Sequence, residues 1–365
     1  MIYRAIGLMS GSSLDGLDIA FVEFHEVSGK WTYDIIAATT YAYDENWSRQ
    51  LSQAITLSGY EYQLLHTAFG HYCGDMVKRF IKEKGLEYKA QLIASHGHTT
   101  FHAPYLKMTS QLGDGAAIAA STGINVVSDL RAIDVALGGH GAPIVPIGER
   151  LLLQEHQLFL NLGGIANISC NIQNRHIGFD VCPANKVLNL LALHEGKAFD
   201  EGGKMASLGK RMPELLEVLN QLEYYGLPYP KSLANDFGTD VVYPLLRNST
   251  HHTANALRTY IEHICIQVKN AVQKILESDG STVNRILITG GGAHNTFLVQ
   301  QLKNELDPAG IEVVLPSSDL IDFKEAVIMA LIGVLRWREE YNVIASVTGA
   351  TRDSIGGAVW IGQEA

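Results

Sequence analysis

One pattern recurs in the two halves of this chain and limits what it can fold into. The first half opens with three apolar, β-branched segments, and a Gly/Ser turn at residues 10–13 separates the first two. The second half opens in the same way at residue 157, with Gly163 and Gly164 at the matching turn. Each half then adds segments with the apolar spacing of helices and further short apolar segments. We therefore predict a duplicated α/β fold.

The length of the chain agrees with two domains. Its 365 residues exceed one average domain and suit two of ~150 residues each. The Gly/Pro-rich stretch at residues 137–146 is the best boundary. We predict an N-terminal lobe over residues 1–145 and a C-terminal lobe over residues 146–365, with a ligand cleft between them.

Composition excludes several classes of protein. An apolar content of 47% with 18% charged residues is globular and excludes a disordered chain. A formal net charge of −10 without a Lys/Arg cluster argues against nucleic-acid or anionic-membrane partners. The four cysteines form no CxxC pair, so we expect neither a disulfide framework nor a thiolate zinc site.

The sequence also bears on the cellular location and the oligomeric state of the protein. The longest apolar run, residues 326–335, is about half of the ~20 residues that span a bilayer. The short apolar N-terminus runs at once into a polar turn, unlike a signal peptide. We expect a soluble, cytoplasmic protein, and the sequence leaves open whether it is a monomer or a homodimer.

The strongest local motif is GSSLDGLD at residues 11–18. Small hydroxyl residues beside Gly11 leave backbone N–H groups free to approach an anion, and Gly16 permits a positive φ. Asp15 or Asp18 could face a divalent cation, since Mg²⁺ prefers oxygen ligands. No Lys-Ser/Thr follows a glycine at the Walker spacing. An ordinary hairpin turn with capping aspartates is the alternative.

Two further glycine turns invite the same interpretation. Gly163 and Gly164, with Asn167 after them, repeat the first turn in the second half. Residues 290–292 are three glycines between a strand and a helix, where a phosphate or a flat ring could approach the backbone. They lack the GxGxxG spacing of a dinucleotide fold. A hairpin and tight strand–helix packing are the respective alternatives.

Asp180 is the last residue of a short predicted strand, His176 to Asp180. A carboxylate at a strand end that opens on a cleft is well placed as a general base. A helix or turn cap is the commoner role for such an aspartate.

Polar residues elsewhere are compatible with a hydroxylated ligand. His96 and His98 lie on one face of a strand, but no carboxylate or cysteine accompanies them at a familiar metal-site spacing. Arg131 lies between Asp129 and Asp134, which predicts an ion pair or a polar ligand lining. The serines at residues 10–13 fit no GxSxG elbow, so a serine hydrolase is disfavoured.

Taken in order, these motifs resemble the anhydro-N-acetylmuramic acid kinase family, part of the acetokinase/sugar kinase/Hsp70/actin superfamily. The first block, GLMSGSSLDG at residues 7–16, is close to the family's GLMSGTSLDG. Further blocks are SHG at 95–97, SDLR at 128–131, GGHGAP at 138–143, NLGGIAN at 161–167, GFD at 178–180, PKS at 230–232, GGGAHN at 290–295, KEA at 324–326 and VTGA at 347–350. Their spread over nearly the whole chain makes the resemblance specific.

The resemblance implies a fold and an activity. The fold would be two lobes, each a duplicated RNase H-like mixed sheet with flanking helices, and an ATP cleft between them. The enzyme would be an ATP- and Mg²⁺-dependent kinase acting on 1,6-anhydro-N-acetylmuramic acid. Water would open the anhydro ring and O6 would take the γ-phosphoryl group. The product, N-acetylmuramic acid 6-phosphate, would place the enzyme in cell-wall (peptidoglycan) recycling.

The resemblance also implies site residues. Asp180 matches the base that activates the water. The residues matching the ATP side are Gly11, Ser12, Ser13, Leu14, Asp15, Gly16, Leu17, Asp18, Gly163, Gly164, Asn167, Gly290, Gly291 and Gly292, with Mg²⁺ held through Asp15 or Asp18. The residues expected on the sugar side are His96, Asp129, Arg131, Gly141, Pro143 and Glu325.

The chain departs from the family pattern at several positions. His98 and His140 replace glutamines, and the family's GFDTGPGN and PKSTGRE read GFDVCPAN and PKSLAND here. Phosphate-side residues are largely kept, whereas sugar-side residues vary. The alternatives are therefore a kinase for a related anhydro sugar such as levoglucosan, a non-catalytic ATP-binding protein, or a superfamily phosphatase. Retention of Asp15, Asp18 and Asp180 argues against the non-catalytic alternative.

Overall fold

The chain forms two compact units in the computed structural model, which describes residues 1–11, 13–172, 175–229, 231–234, 236–250, 252–279 and 283–362. The first unit contains Met1–Gln154 together with Phe323–Ala365, and the second contains Glu155–Asp322. The sequence prediction assigned residues 323–365 to the second lobe. The structure groups them with the first unit instead, because the last strand of the chain joins the sheet of that unit.

Twelve strands and fourteen α-helices are present in the described part of the chain. The strands are β1 (Ile2–Ser10), β2 (Gly16–Val27), β3 (Lys30–Ala42), β4 (Leu92–Ala103), β5 (Met108–Leu112), β6 (Asn125–Ser128), β7 (Leu158–Leu162), β8 (Ile165–Ile172), β9 (Arg175–Pro183), β10 (Arg285–Thr289), β11 (Glu312–Val314) and β12 (Ala358–Trp360). The helices are α1 (Glu45–Gln53), α2 (Gly59–Lys84), α3 (Gly115–Thr122), α4 (Ala132–Ala136), α5 (Pro146–Leu152), α6 (Asn185–Leu193), α7 (Lys204–Leu208), α8 (Pro213–Asn220), α9 (Glu223–Gly226), α10 (Tyr243–Ser249), α11 (Thr253–Asp279), α12 (Thr296–Leu306), α13 (Ser318–Trp337) and α14 (Ala345–Thr348).

The two sheets share one strand order. In the first unit β1, β2 and β3 form an antiparallel meander, and β4 and then β6 extend the other side of β1 in parallel. In the second unit β7, β8 and β9 form the meander, and β10 and then β11 extend the other side of β7 in parallel. The repeated order confirms the predicted duplicated α/β fold.

The first sheet carries two strands that the sequence pattern did not predict. β12 pairs antiparallel with β6, and β5 pairs antiparallel with the extended end of β4. Both are short, and β5 lacks the apolar alternation of a half-buried strand: only its last two residues are buried.

Helix α2 shows how local sequence fixes an element boundary. It begins at Gly59 because Ser58 and Glu61 form a reciprocal capping box. It ends where Gly85 takes a left-handed conformation (φ 63°). Its buried face, which includes Phe69 and Val77, packs into the apolar core of the first unit.

The second unit is built around helix α11. Tyr260, Ile264 and Val268 of this helix are buried against the residues of β8 and β9 that face it. No helix of the described residues combines the length and apolarity required to cross a membrane.

Close packing of β1 against α13 depends on a glycine. A Cβ at Gly7 would lie 1.8 Å from the carbonyl oxygen of Ala326, so only glycine allows this approach. By contrast, a Cβ at Gly59, in the first turn of α2, would meet nothing within 4 Å.

We predict that Gly7→Ala destabilises the first unit by ~3 kcal/mol or more, because strand and helix must separate to admit the methyl group. Gly59→Ala is the matched control and should be neutral or slightly stabilising, since alanine favours helix. Urea-induced unfolding of both variants measures the difference. Equal midpoints for Gly7→Ala and the parent protein would contradict the prediction.

Candidate functional site

The first glycine loop is a hairpin connection whose described residues are half-buried or exposed. Residues 11–15 join the antiparallel strands β1 and β2. The positive φ predicted for Gly16 occurs instead at Leu14 (φ 61°). Gly16 is required for close approach, because a Cβ there would lie 2.5 Å from the Tyr41 carbonyl oxygen. A Cβ at Gly11 would contact only Ser13, so space remains beside it. Ser12 lies outside the described residues.

The two aspartates of this loop differ in environment, and Leu17 between them is buried in the core. Asp15 is exposed, whereas Asp18 is half-buried and its Oδ1 accepts a hydrogen bond of 2.6 Å from Thr40 Oγ1. The described residues contain no group of three or more His, Cys, Asp or Glu that could hold a metal ion. A Mg²⁺ ion bound to one of these carboxylates would take its other ligands from phosphates and water, which is the usual arrangement for Mg²⁺.

His98 supports this loop. Tyr43 Oη donates to Ser10 Oγ (2.7 Å), and Ser10 Oγ lies 3.1 Å from His98 Nδ1. Burial lowers the pKa of His98. This departure from the family pattern therefore contacts Ser10, the residue that precedes Gly11.

A row of polar residues crosses the sheet of the second unit. Thr289, Asn161, Asn167 and Asp180 are cross-strand partners along β10, β7, β8 and β9. Side chains of directly paired residues lie on the same face of a sheet. The four residues therefore form one polar strip. The sequence prediction included Asn167 and Asp180 but missed Asn161 and Thr289. The positions of Asn161 and Thr289 in their strands could have indicated this. Asn161 is the next-to-last residue of β7 and Thr289 is the last residue of β10, and a glycine turn follows each strand.

Gly163 and Gly164 follow the last residue of β7, next to this polar strip. Their carbonyl oxygens accept backbone hydrogen bonds from Ala184, Asn185 and Lys186, at the start of α6 (2.8–3.3 Å). No hydrogen bond from the N–H of either glycine occurs among the described residues. Within the described part of the chain, these two N–H groups are thus left without an acceptor.

The Gly290 turn lies against the Gly163 turn. Gly290 has φ 81°, and a Cβ there would lie 2.5 Å from Asn161 Oδ1. A Cβ at Gly292 would lie 2.7 Å from Leu162 Cβ. The structure thus brings two of the predicted glycine segments together. A 3₁₀ turn (Gly291–His294) follows the strand, so the glycines do not open the α-helix that the prediction placed there.

Asp180 lies inside β9 and is fixed by the segment that follows helix α9. Its Oδ2 accepts a hydrogen bond from the Leu233 N–H (2.9 Å), and its own N–H donates to the Lys231 carbonyl (3.2 Å). Its carbonyl accepts a bond from Tyr224 Oη (2.6 Å). The structure therefore corrects the prediction that Asp180 ends a strand, and its carboxylate caps no helix.

The electrostatics of Asp180 suit a base. Burial raises the pKa of Asp180, and the hydrogen bond from Leu233 opposes that rise. A carboxylate with a raised pKa is a stronger proton acceptor than an ordinary aspartate. Oδ1 has no hydrogen-bond partner among the described residues, so a water molecule could bind there.

In the first unit, His96 and Arg131 form a buried pair. Arg131 Nε donates to His96 Nε2 (2.9 Å), so the His96 proton is on Nδ1, which donates to the Gly97 carbonyl (2.8 Å). Burial and the Arg131 charge lower the pKa of His96 to about 3. Both ring nitrogens of His96 are therefore engaged in hydrogen bonds.

Arg131 also shapes a pocket. Its Nη1 donates to the carbonyl of Gly141 (2.9 Å), and Arg131, Gly141 and Pro143 line the same pocket. Burial lowers the pKa of Arg131, and the charge of Glu325 opposes this shift. Of the predicted sugar-side residues, Asp129 is exposed and accepts a bond from Ser128 Oγ (2.6 Å) instead of lining the pocket.

Asp134 positions the pocket wall, a role the sequence did not reveal. Its buried carboxylate accepts bonds from the Gly141 N–H (2.7 Å) and from Thr348 Oγ1 (2.6 Å). The ion pair predicted between Arg131 and its flanking aspartates is absent from the described residues, because Arg131 bonds to His96 and Gly141 instead. The aspartate and the VTGA block, far apart in sequence, are joined by this contact.

We predict that Asp134→Asn lowers the free energy of unfolding of the first unit by about 2–3 kcal/mol. The amide has one acceptor oxygen and one NH2 group, so one of the two buried donors loses its acceptor and the other keeps only a neutral one. Asp129→Asn is the control: it is exposed and has a left-handed φ (56°), which asparagine tolerates. Thermal unfolding of both variants gives the comparison, and equal losses of stability would show that Asp134 has no special role.

Comparison with known proteins places the chain among its relatives. The profile of a family described as anhydro-N-acetylmuramic acid kinase matches residues 3–362. A protein of that name from Aliivibrio fischeri is 31% identical, over 98% of this chain and 99% of the relative. Another from Xylella fastidiosa is 34% identical, over 97% of this chain and 95% of the relative. The similarity thus extends over both units.

Proposed function

The chain belongs to the anhydro-N-acetylmuramic acid kinase family, and on that premise we propose that it transfers the γ-phosphoryl group of ATP to 1,6-anhydro-N-acetylmuramic acid with hydrolytic opening of the anhydro ring. The observation that carries this proposal is the environment of Asp180. Its carboxylate accepts a hydrogen bond from a backbone N–H, its pKa is raised, and its second oxygen has no hydrogen-bond partner among the residues that the structure describes. A base of this kind is what activation of a water molecule requires.

In the proposed reaction Asp180 is the general base, and every bond formed is matched by a bond broken. Asp180 takes a proton from water as the water oxygen bonds to the anomeric carbon of the sugar. The bond between the anomeric carbon and O6 breaks, and O6 attacks the γ-phosphorus of ATP. ADP leaves, so the product is N-acetylmuramic acid 6-phosphate, and the Asp180 proton is returned to solvent. The product carries the elements of one water in addition to the phosphoryl group.

The glycine turns supply donors for the nucleotide. The Gly163 and Gly164 N–H groups, the space beside Gly11 and the adjacent Gly290–Gly292 turn are compatible with binding of the phosphates and the adenosine, as family resemblance implies. Asp15 or Asp18 would hold Mg²⁺ together with the phosphates. The ion would offset the negative charge of the transferred group.

The Arg131 pocket is our candidate for the sugar. A buried guanidinium next to a neutral imidazole is a site for a carboxylate, and the lactyl group of muramic acid has one. Gly141 and Pro143 form the wall of this pocket, and Glu325 is close enough to influence the charge on Arg131. Levoglucosan has no lactyl group and could not use this interaction.

We further propose that the enzyme works in the cytoplasm, in keeping with cell-wall recycling that consumes ATP. The four cysteines are buried as thiols, which agrees with a reducing compartment.

The substrate prediction is tested by an ADP-release assay with MgATP and 1,6-anhydro-N-acetylmuramic acid, with levoglucosan and no sugar as the other arms. We expect ADP release only with the muramic sugar. Mass spectrometry should find a product heavier than the substrate by one phosphoryl group and one water. Equal rates with levoglucosan would contradict the Arg131 assignment, and ADP release without sugar would favour a phosphatase.

The role of Asp180 is tested by Asp180→Asn. We predict a fall in kcat of at least ~10³-fold, since the amide accepts no proton, with ATP affinity changed less than about threefold. Asp240→Asn, exposed in the same unit, is the matched control and should keep full activity. The assay is ADP release, with ATP binding followed by calorimetry. An active Asp180→Asn enzyme would exclude Asp180 as the base.

A further inference from the structure

A second pocket lies on the opposite side of β9 from the Asp180 carboxylate. Its lining includes Phe179 and Val181 of β9. These two residues flank Asp180 in the strand, and alternate residues of a strand point to opposite faces. The pocket is therefore separate from the side where Asp180 would act. Helix α11 forms its other wall.

Two lysine ammonium groups meet in this pocket. Lys231 Nζ donates to the Tyr224 carbonyl (3.0 Å), and Lys274 Nζ donates to the next carbonyl, that of Tyr225 (3.2 Å). Adjacent anchor points bring the two charges close together. Burial lowers the pKa of Lys231, and the charge of Lys274 lowers it further.

No carboxylate offsets these charges. Among the described residues, no Asp or Glu lines the pocket, and neither Lys231 nor Lys274 forms an ion pair. Each ammonium group has three N–H donors, and one of them is used by a tyrosine carbonyl. The pocket thus offers several unused charged donors to one ligand, which is the requirement for binding a doubly charged anion.

The remaining walls suit a sugar ring. The ring of Tyr229 stacks face to face on the buried ring of Phe179, with centroids 5.1 Å apart and planes 3° from parallel, which fixes an aromatic ring in the pocket lining. The side-chain amides of Gln267 and Asn270 lie in the same lining. Apolar walls with a few polar groups are typical of small-molecule sites.

We propose that this pocket binds the phosphate monoester of a sugar, with the phosphate on Lys231 and Lys274 and the sugar against Phe179 and Tyr229. The proposal does not depend on the proposed reaction. The Lys231 carbonyl holds the N–H of Asp180, so a ligand here would contact the segment that fixes Asp180.

Calorimetric titration of the full-length protein with glucose 6-phosphate tests this site. Saturating MgADP occupies the nucleotide loops during the titration. We expect saturable binding that is at least tenfold weaker in Lys274→Gln and within threefold of the parent in Lys274→Arg. Unphosphorylated glucose should bind at least tenfold more weakly than its phosphate. Lys274 is exposed, so its replacement leaves the core intact.

Lys197→Gln, at another exposed lysine of the same unit, is the matched control and should bind as the parent does. Absence of saturable binding by the parent would overturn the proposal. So would equal affinity in the parent and Lys274→Gln, which would locate the phosphate elsewhere on the protein, or an equal loss in Lys197→Gln.

Discussion

Strand direction is the constraint on which the candidate sites depend. In each unit the first strand of the meander is paired on both sides, and its parallel neighbours end at the same edge of the sheet. The carboxyl ends of parallel strands are where open α/β sheets bind ligands. Gly11 follows β1 and Asp129 follows β6, while Gly163 and Gly290 follow β7 and β10. Motifs distant in sequence are neighbours within each sheet because they occupy equivalent strand ends.

The duplication and most of the elements could be predicted because their signals are local. Apolar period, capping residues and glycine turns act over a few residues, so α2 and the two meanders were predictable from short windows. β12 could not be predicted, since three residues that pair with β6 some 230 positions earlier carry no local signal. For the same reason residues 323–365 were assigned to the wrong unit. The pairing of strands far apart in sequence decides which unit these residues join, and such pairing produces no periodic pattern in the sequence.

The candidate site shows the same division. Asp180 and the glycine turns are visible as residue types in motifs. The place of Asn161 in the site could be recognised only from the strand register, because it depends on the pairing of Asn161 with Asn167 on the neighbouring strand. Asp134 was even harder to interpret: its sequence neighbour Arg131 suggests an ion pair, whereas its partners are a backbone N–H and a hydroxyl. Burial makes the difference, since a desolvated carboxylate is stabilised by well-directed donors as much as by a countercharge.

The replacement of a family glutamine by His98 has a consequence for the hydrogen bonds under the first loop. The Tyr43 hydroxyl donates a hydrogen bond to Ser10 Oγ, so the Ser10 hydroxyl must donate its own proton to His98 Nδ1. All the hydrogen bonds of this network therefore run from Tyr43 towards His98. A glutamine carbonyl would accept that proton at any pH. An imidazole accepts it only while neutral, and burial, by lowering the pKa of His98, keeps it so. At this position the chain therefore has an acceptor whose function depends on its protonation state, and burial of His98 favours the neutral state in which it accepts the Ser10 proton.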